Sequence, residues 1–361
     1  MSTLTAITPK NAPYAIIDTI KARRVPFLKG SPGIGKSDII KQVANVLNLK
    51  VIDIRLAQSD PTDLAGFPIR NPDTNRMEYA PLNTIPLEND SIPIDPDTGK
   101  PYNGWLILFD EVTSAPPTVQ AAFYKIGLDR LVNQTPIHPK ASIVAAGNLE
   151  TDRAVVMKMS TALKSRFFHY LLETNLDEWL ENFAYPNNIH PDIIAFLRYK
   201  PELLHKFDPD SAEDTFPCPR TWEFVNDFIK VIEKPLFSKP HHLIAIAGAV
   251  GQGAAYEFKS AKDMFAHCPT LEEIIQSPET AKLPTELSQL YSVSTLISNG
   301  ATEKNVSKLI TYIERIPRKY VEFQVLTVKD IVKRKPVLET NETLANWMLT
   351  HAKLIFGNED A

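Results

Sequence analysis

Cysteine is nearly missing from this sequence: 361 residues contain only Cys218 and Cys268. The two have no CxxC spacing and no histidine pattern around them, which argues against a disulfide framework or a zinc site and for a reducing compartment. Cys218 reads as inert packing. Long apolar runs are also lacking, and none approaches the roughly 20 residues that span a bilayer. The opening MSTLTAITPK does not have the charged-then-apolar layout of a secretory leader. No membrane is therefore expected, and the cytoplasm is the simplest location. Nor is there a basic excess: 39 Lys and Arg against 43 Asp and Glu leave a net charge of −4. Charge gives no case for nucleic acid or anionic lipid as a partner. The short basic spots at Lys21, Arg23 and Arg24, and at Lys333, Arg334 and Lys335, read as solvated faces. There is no internal repeat and no low-complexity tract.

What remains is ordinary globular composition, 43% hydrophobic and 23% charged, in a chain long enough for two or three domains. Short apolar runs at 25–29, 50–56, 105–111 and 141–148 read as strands, and 162–172 reads as a helix end running into a fifth. Helices are expected from 37 and over about 116–128, the latter with a proline suited to its first turn. Buried strands alternating with helices imply a parallel sheet covered on both faces. Between residues 59 and 104, prolines at 61, 68, 72, 81, 86, 93, 96 and 101 forbid long helices or central strands. That stretch reads as an irregular insertion, with a small hairpin at IRNPDTNRMEYAP. Beyond residue 173 strand signals fade, and helices are expected at 177–184, 192–199, 220–233, 242–258, 303–316 and 344–356.

Chemistry enters at GSPGIGKS. Gly30, Ser31, Pro32, Gly33, Ile34, Gly35, Lys36 and Ser37 satisfy the pattern G-x-x-x-x-G-K-[ST], between a strand and a helix. Glycines let backbone N–H groups turn inward around phosphate oxygens, and the following helix adds its positive end. Lys36 would reach the β- and γ-phosphates and Ser37 would bind Mg²⁺. The ordinary alternative is a surface turn. In LILFDE, Asp110 and Glu111 end an apolar strand, at the edge where ligands sit in open α/β sheets. Asp110 would hold Mg²⁺, and Glu111 would orient and deprotonate an attacking water. A glutamate there suits hydrolysis. No guanine-reading N-K-x-D follows a later strand, so ATP is preferred over GTP.

Three further residues suggest roles. Asn148 ends SIVAAGN, where a neutral amide could hydrogen-bond the water or the γ-phosphate; a turn asparagine is the plain alternative. Arg166, just before the fifth strand, could reach a neighbouring subunit's γ-phosphate, or make a surface ion pair. Arg220 lies in the first turn of a helix, an unfavourable place for a cation of about 0.3–1 kcal/mol. An anionic partner follows, either a phosphate or a carboxylate such as Glu223.

Taken together, GSPGIGKS, RLAQSDPTDLAGFP, LILFDE, AAGN, LKSRF and CPRTWE make the chain resemble the AAA+ ATPases and, within them, the MoxR-like group, over roughly 13–234. The resemblance implies an α/β P-loop NTPase with a five-stranded parallel sheet in order 5-1-4-3-2. With the helical pattern of the tail, the domains are expected at 1–173 (nucleotide-binding, with the Pro-rich insertion at about 58–104), 174–268 (the α-helical lid that the resemblance implies) and 269–361 (a helical C-terminal extension). It implies ATP and Mg²⁺ as cofactors, a homo-oligomeric ring, usually a hexamer, and a chaperone-like motor acting on a protein client, often beside a von Willebrand factor A-type partner. It makes Asn148 sensor 1, Arg166 the arginine finger and Arg220 sensor 2. One departure is VTSAPPTVQ after the carboxylate pair, where the family more often has asparagine and arginine; the tail after 269 has no counterpart. Two other functions stay open: a nucleic-acid motor, such as a helicase loader or translocase, which the non-basic insertion disfavours, and a nucleotide-gated binding module with slow turnover.

Overall fold

The computed structural model describes residues 6–149, 152, 159 and 164–356. The chain divides into two compact units, Met1–Asn175 with Phe207–Ser211, and Leu176–Lys206 with Ala212–Ala361.

The first unit is built on a parallel sheet. Its strands are β1 (Ala6–Ile7), β2 (Val25–Lys29), β3 (Leu49–Arg55), β6 (Gly104–Asp110), β9 (Ala141–Gly147) and β10 (Phe167–Leu172), in the order β1-β10-β2-β9-β6-β3. The sheet thus has six strands where five are expected. The added strand is two residues long and pairs with β10 through Ala6 and Ile7, too short to announce itself by periodicity. Without it the remaining five stand in the order 5-1-4-3-2.

Side-chain alternation explains why the central strands read as continuous apolar runs. Leu106 and Leu108 of β6 enter one core with Leu28, Val144 and Ala146, while Ile107 and Phe109 enter the other with Phe27, Ile143 and Ala145. Both faces are buried, so both sets of positions must be apolar. Helices α1 (Ala12–Lys21) and α2 (Lys36–Val46) pack on the first face, and α4 (Pro117–Asp129) on the second.

The insertion holds a short helix α3 (Pro61–Ala65), started by an Asp60–Asp63 capping box, and the expected hairpin. The hairpin pairs β4 (Phe67–Arg70) with β5 (Met77–Ala80). A second small hairpin, β7 (Leu131–Val132) with β8 (Thr135–Pro136), follows α4 and had no signal in the sequence.

The second unit is helical. The single helix expected over 242–258 is two, Pro240–Val250 and Gln252–Phe265. Gly251, at φ 84°, breaks it, and a Cβ there would stand 2.5 Å from the Glu213 carboxylate. Deep in this unit Arg198 pairs with Asp330. Arg198 Nη2 lies 2.7 Å from Asp330 Oδ1, and the Tyr185 hydroxyl donates to that same oxygen at 3.0 Å. A buried pair of this kind adds little net stability, but breaking it leaves an unanswered charge inside. Asp330→Ala should therefore cost about 3–5 kcal/mol of unfolding free energy in a urea titration. An unchanged midpoint would show that the pair is dispensable.

Candidate active site

The carboxyl ends of β2, β6 and β9 converge, and the segments that leave them carry Lys36, Ser37, Asp110, Glu111 and Asn148. After β2 the chain turns through the glycine stretch into α2. Gly35 sits at φ 88°, where a side chain is strained, and a Cβ there would meet nothing within 4 Å. Open space at a left-handed residue leading into a helix N-terminus is the form of an anion cradle. Gly30 is required for packing instead, since a Cβ would lie 2.4 Å from Ile34 Cδ1 and 2.9 Å from the Leu172 carbonyl oxygen.

Lys36 is buried and points back into the loop. Its ammonium donates to the carbonyls of Gly30 (2.7 Å) and Ser31 (2.9 Å) and to Asn148 Oδ1 (3.1 Å). Ser37 Oγ donates to Asp110 Oδ2 at 2.8 Å, which ties α2 to the end of β6. The other Asp110 oxygen accepts the backbone N–H of Glu111 at 2.8 Å. The structure thus brings Lys36, Ser37, Asp110 and Asn148 together.

Glu111 follows in the left-handed region, at φ 57°. For a non-glycine residue this costs about 1 kcal/mol or more, and such strain gathers at functional sites.

A hydroxyl and a carboxylate in contact form a hard oxygen pair of the kind Mg²⁺ takes, and that ion usually relies on one or two protein groups plus substrate phosphates. Ser37 and Asp110 fit it. Among the described residues no three His, Cys, Asp or Glu side chains form a metal cluster by themselves.

Two residues here escaped the sequence. Thr113, two places after Glu111 and buried, accepts the Asn148 N–H at 3.1 Å and donates to the Asn148 carbonyl at 3.3 Å. It clamps the backbone of Asn148 from the β6 side. Asp152, also buried, accepts from Ser31 Oγ (3.2 Å) and from the Leu149 N–H (3.1 Å), joining the loop after β9 to the cradle. A hydroxyl two residues after the carboxylate pair was the available signal for Thr113, shared with its neighbour Ser114; Asp152 had none.

The two remaining candidates stand elsewhere. Arg166 directly precedes β10, at the amino end of the strands. It is exposed, with its guanidinium 4.8 Å from the centre of the Tyr124 ring. Six residues separate Arg24 from Gly30 along β2, about 20 Å of strand, and Arg166 enters β10 level with Arg24, as Phe167 pairs with Val25. Arg166 therefore cannot touch the cradle of its own chain. Arg220 belongs to the second unit, exposed in the first turn of Pro219–Val231.

Residues 26–167 match the family model of the AAA domain, dynein-related subfamily. That span holds the cradle, the carboxylate pair, Asn148, Thr113 and Arg166. Among solved structures the chain is similar to a provisionally named ATPase from Cytophaga hutchinsonii, at 14% identity over 88% of this chain and 80% of that one, with a TM-score of 0.34. No curated protein matches the sequence. No helix among the described residues is long and apolar enough to cross a membrane.

Thr113→Val keeps the shape of the side chain and removes both bonds to Asn148. It should cost about 1–3 kcal/mol of stability while leaving affinity for a fluorescent ATP analogue within about twofold. A variant as stable as the parent would show that the clamp does not hold the loop.

Proposed function

We propose that this chain is a Mg²⁺-dependent ATP hydrolase of the MoxR-like kind, working as a ring of its own copies to remodel or activate a protein partner. The observation that carries the reading is the meeting of Lys36, Ser37 and Asp110 at one strand edge, with Glu111 held in a strained turn beside them. A structural turn would need no such strain. The match of residues 26–167 to an AAA domain supports it.

In this reading the backbone N–H groups of Gly33 to Ser37 bind the phosphates, and Lys36 exchanges its loop carbonyls for β- and γ-phosphate oxygens. Mg²⁺, when bound at Ser37 and Asp110, supplies charge neutralisation on those phosphates. Glu111 accepts a proton from the attacking water and orients it toward the γ-phosphorus. Asn148, fixed by Thr113, presents a neutral amide to the same region. Arg166 of one copy and the cradle of the next complete the site, because about 20 Å of sheet separates them within one chain.

The hairpin in the insertion is the surface best suited to a protein client. Phe67, Ile69, Met77 and Tyr79 are each about half exposed or more. Strand pairing puts Phe67 and Ile69 on one face, Met77 and Tyr79 on the other, so neither face is covered. Residues 58–104 carry eight acidic side chains and three basic ones, which disfavours a nucleic-acid strand as the client.

Glu111→Gln should bind ATP with unchanged affinity and release phosphate about 10²–10⁴-fold more slowly. Turnover at the parental rate in this variant would defeat the hydrolase reading. Mixing Arg166→Ala with Lys36→Ala protein should regain activity, since one brings an intact cradle and the other an intact arginine. Mixtures no better than the sum of their parts would remove the role in trans.

A further inference from the structure

The basic spot Lys333, Arg334 and Lys335, expected on a solvated face, is divided in the second unit. Lys333 is exposed and pairs with Glu181. Arg334 ends the helix Val321–Arg334 and lays its guanidinium 4.3 Å from the centre of the Tyr185 ring. One of its nitrogens, Nη1, donates to Asn299 Oδ1 at 3.0 Å. The other two, Nε and Nη2, are closed to solvent and hydrogen-bond no atom among the described residues. Buried donors nearly always have a partner, and the penalty for lacking one is largest when the group is charged.

The neighbouring acceptors are already engaged. The Tyr185 hydroxyl donates to Asp330 Oδ1 and accepts from Arg198 Nη2 at 2.6 Å. Arg198 bonds both oxygens of Asp330 and neutralises it. On adjoining turns Asp192 pairs with Lys262 at 2.6 Å, and Glu181 with Lys333. Among the described residues no ion pair includes Arg334, Lys335 or Lys230. Burial, the largest influence, pulls the Arg334 pKa below the ordinary arginine value, and the Tyr185 and Asp330 oxygens offset part of that. Arg334 is thus a surplus cation beside a pair already in balance.

Arg334 lines a cavity of about 280 Å³ together with Lys230, Lys335, Asn188 and Asn299, and no carboxylate lines it. Lys335 donates to the Ala301 carbonyl at 2.7 Å, and the exposed Lys230 to the Asn187 carbonyl at 3.4 Å. His190, on the same wall, adds no charge: its Nδ1 accepts the Asp192 N–H at 3.2 Å, and burial lowers its pKa. The carboxyl ends of the helices Leu287–Gly300 and Val321–Arg334 answer about one unit of the three positive charges. Roughly +2 remains around the cavity.

The two unpartnered nitrogens fix the chemistry of the ligand. Nε and Nη2 form one edge of the guanidinium, and their parallel N–H bonds match two oxygens of a single oxyanion. A carboxylate has only those two oxygens to offer. A tetrahedral phosphate keeps others for the lysines and the amides, and its second negative charge matches the site. We propose that this cavity binds a phosphate group, free or as an ester, through Arg334, Lys230 and Lys335. Binding requires the exposed Asn299 side chain to release Nη1, so that the guanidinium turns its unpartnered edge into the cavity. The site stands apart from the nucleotide reading and does not depend on it.

Titration of the full chain with inorganic phosphate tests this, in a Lys36→Ala background that weakens the cradle's own hold on phosphate. Phosphate should raise the melting temperature and bind at least about tenfold more tightly than acetate. Adding Arg334→Gln should weaken phosphate binding at least about tenfold, through loss of a charge-assisted pair, and abolish the thermal rise. Lys230→Glu, at an exposed position, should weaken it at least about fivefold. Glycerol phosphate separates the two sources: affinity equal to that of phosphate marks an ester site, and binding about tenfold weaker marks a free-ion site. Either supports the assignment. Phosphate bound no better than acetate, or an affinity untouched by Arg334→Gln, overturns it. Should Arg334→Gln fail to fold, an unchanged phosphate affinity in Lys230→Glu overturns it instead.

Discussion

One short contact organises the first unit. Ser37 at the start of α2 and Asp110 at the end of β6 meet at 2.8 Å, though 73 residues separate them and β9 lies between their strands in the sheet. Their meeting depends on the parallel registers of β2 with β9 and β9 with β6, which bring the carboxyl ends to one edge. A slip of one residue would exchange the two apolar faces of β6. Burial of Leu106 and Leu108 on one side, and of Ile107 and Phe109 on the other, therefore also fixes where the carboxylate stands. Packing sets the chemistry's geometry.

The same sheet separates charge. Its carboxyl edge collects carboxylates and a phosphate-shaped loop; its amino edge collects arginines. Because strands are stiff and several residues long, the two ends cannot neutralise one another within a copy. Strain has the same address at both edges: Glu111 at one, Arg23 and Arg130 at the other. These residues give up backbone comfort for the placement of a charged group.

Local patterns in the sequence were enough for the central strands, for the loop from Gly30 to Ser37 and for the carboxylates ending LILFDE, because continuous apolar runs and turn residues report directly on burial and chain reversal. The two-residue strand Ala6–Ile7 left no period to detect. The helix expected over 242–258 continued across Gly251 because one glycine in an apolar run is a weak stop signal; a close approach by Glu213 makes it a firm one.

The sequence by itself determined which residue types could hold phosphate, metal and water, since those capacities belong to the side chains and to the flexibility of glycine. Only the tertiary structure decided that Thr113 and Asp152 brace the site, that Arg166 faces away from its own cradle, and that Arg23 and Arg24, exposed as expected, stand beside Arg130. Those facts depend on strand order and register, and on two helix ends brought side by side, which arise from contacts between residues far apart in the chain.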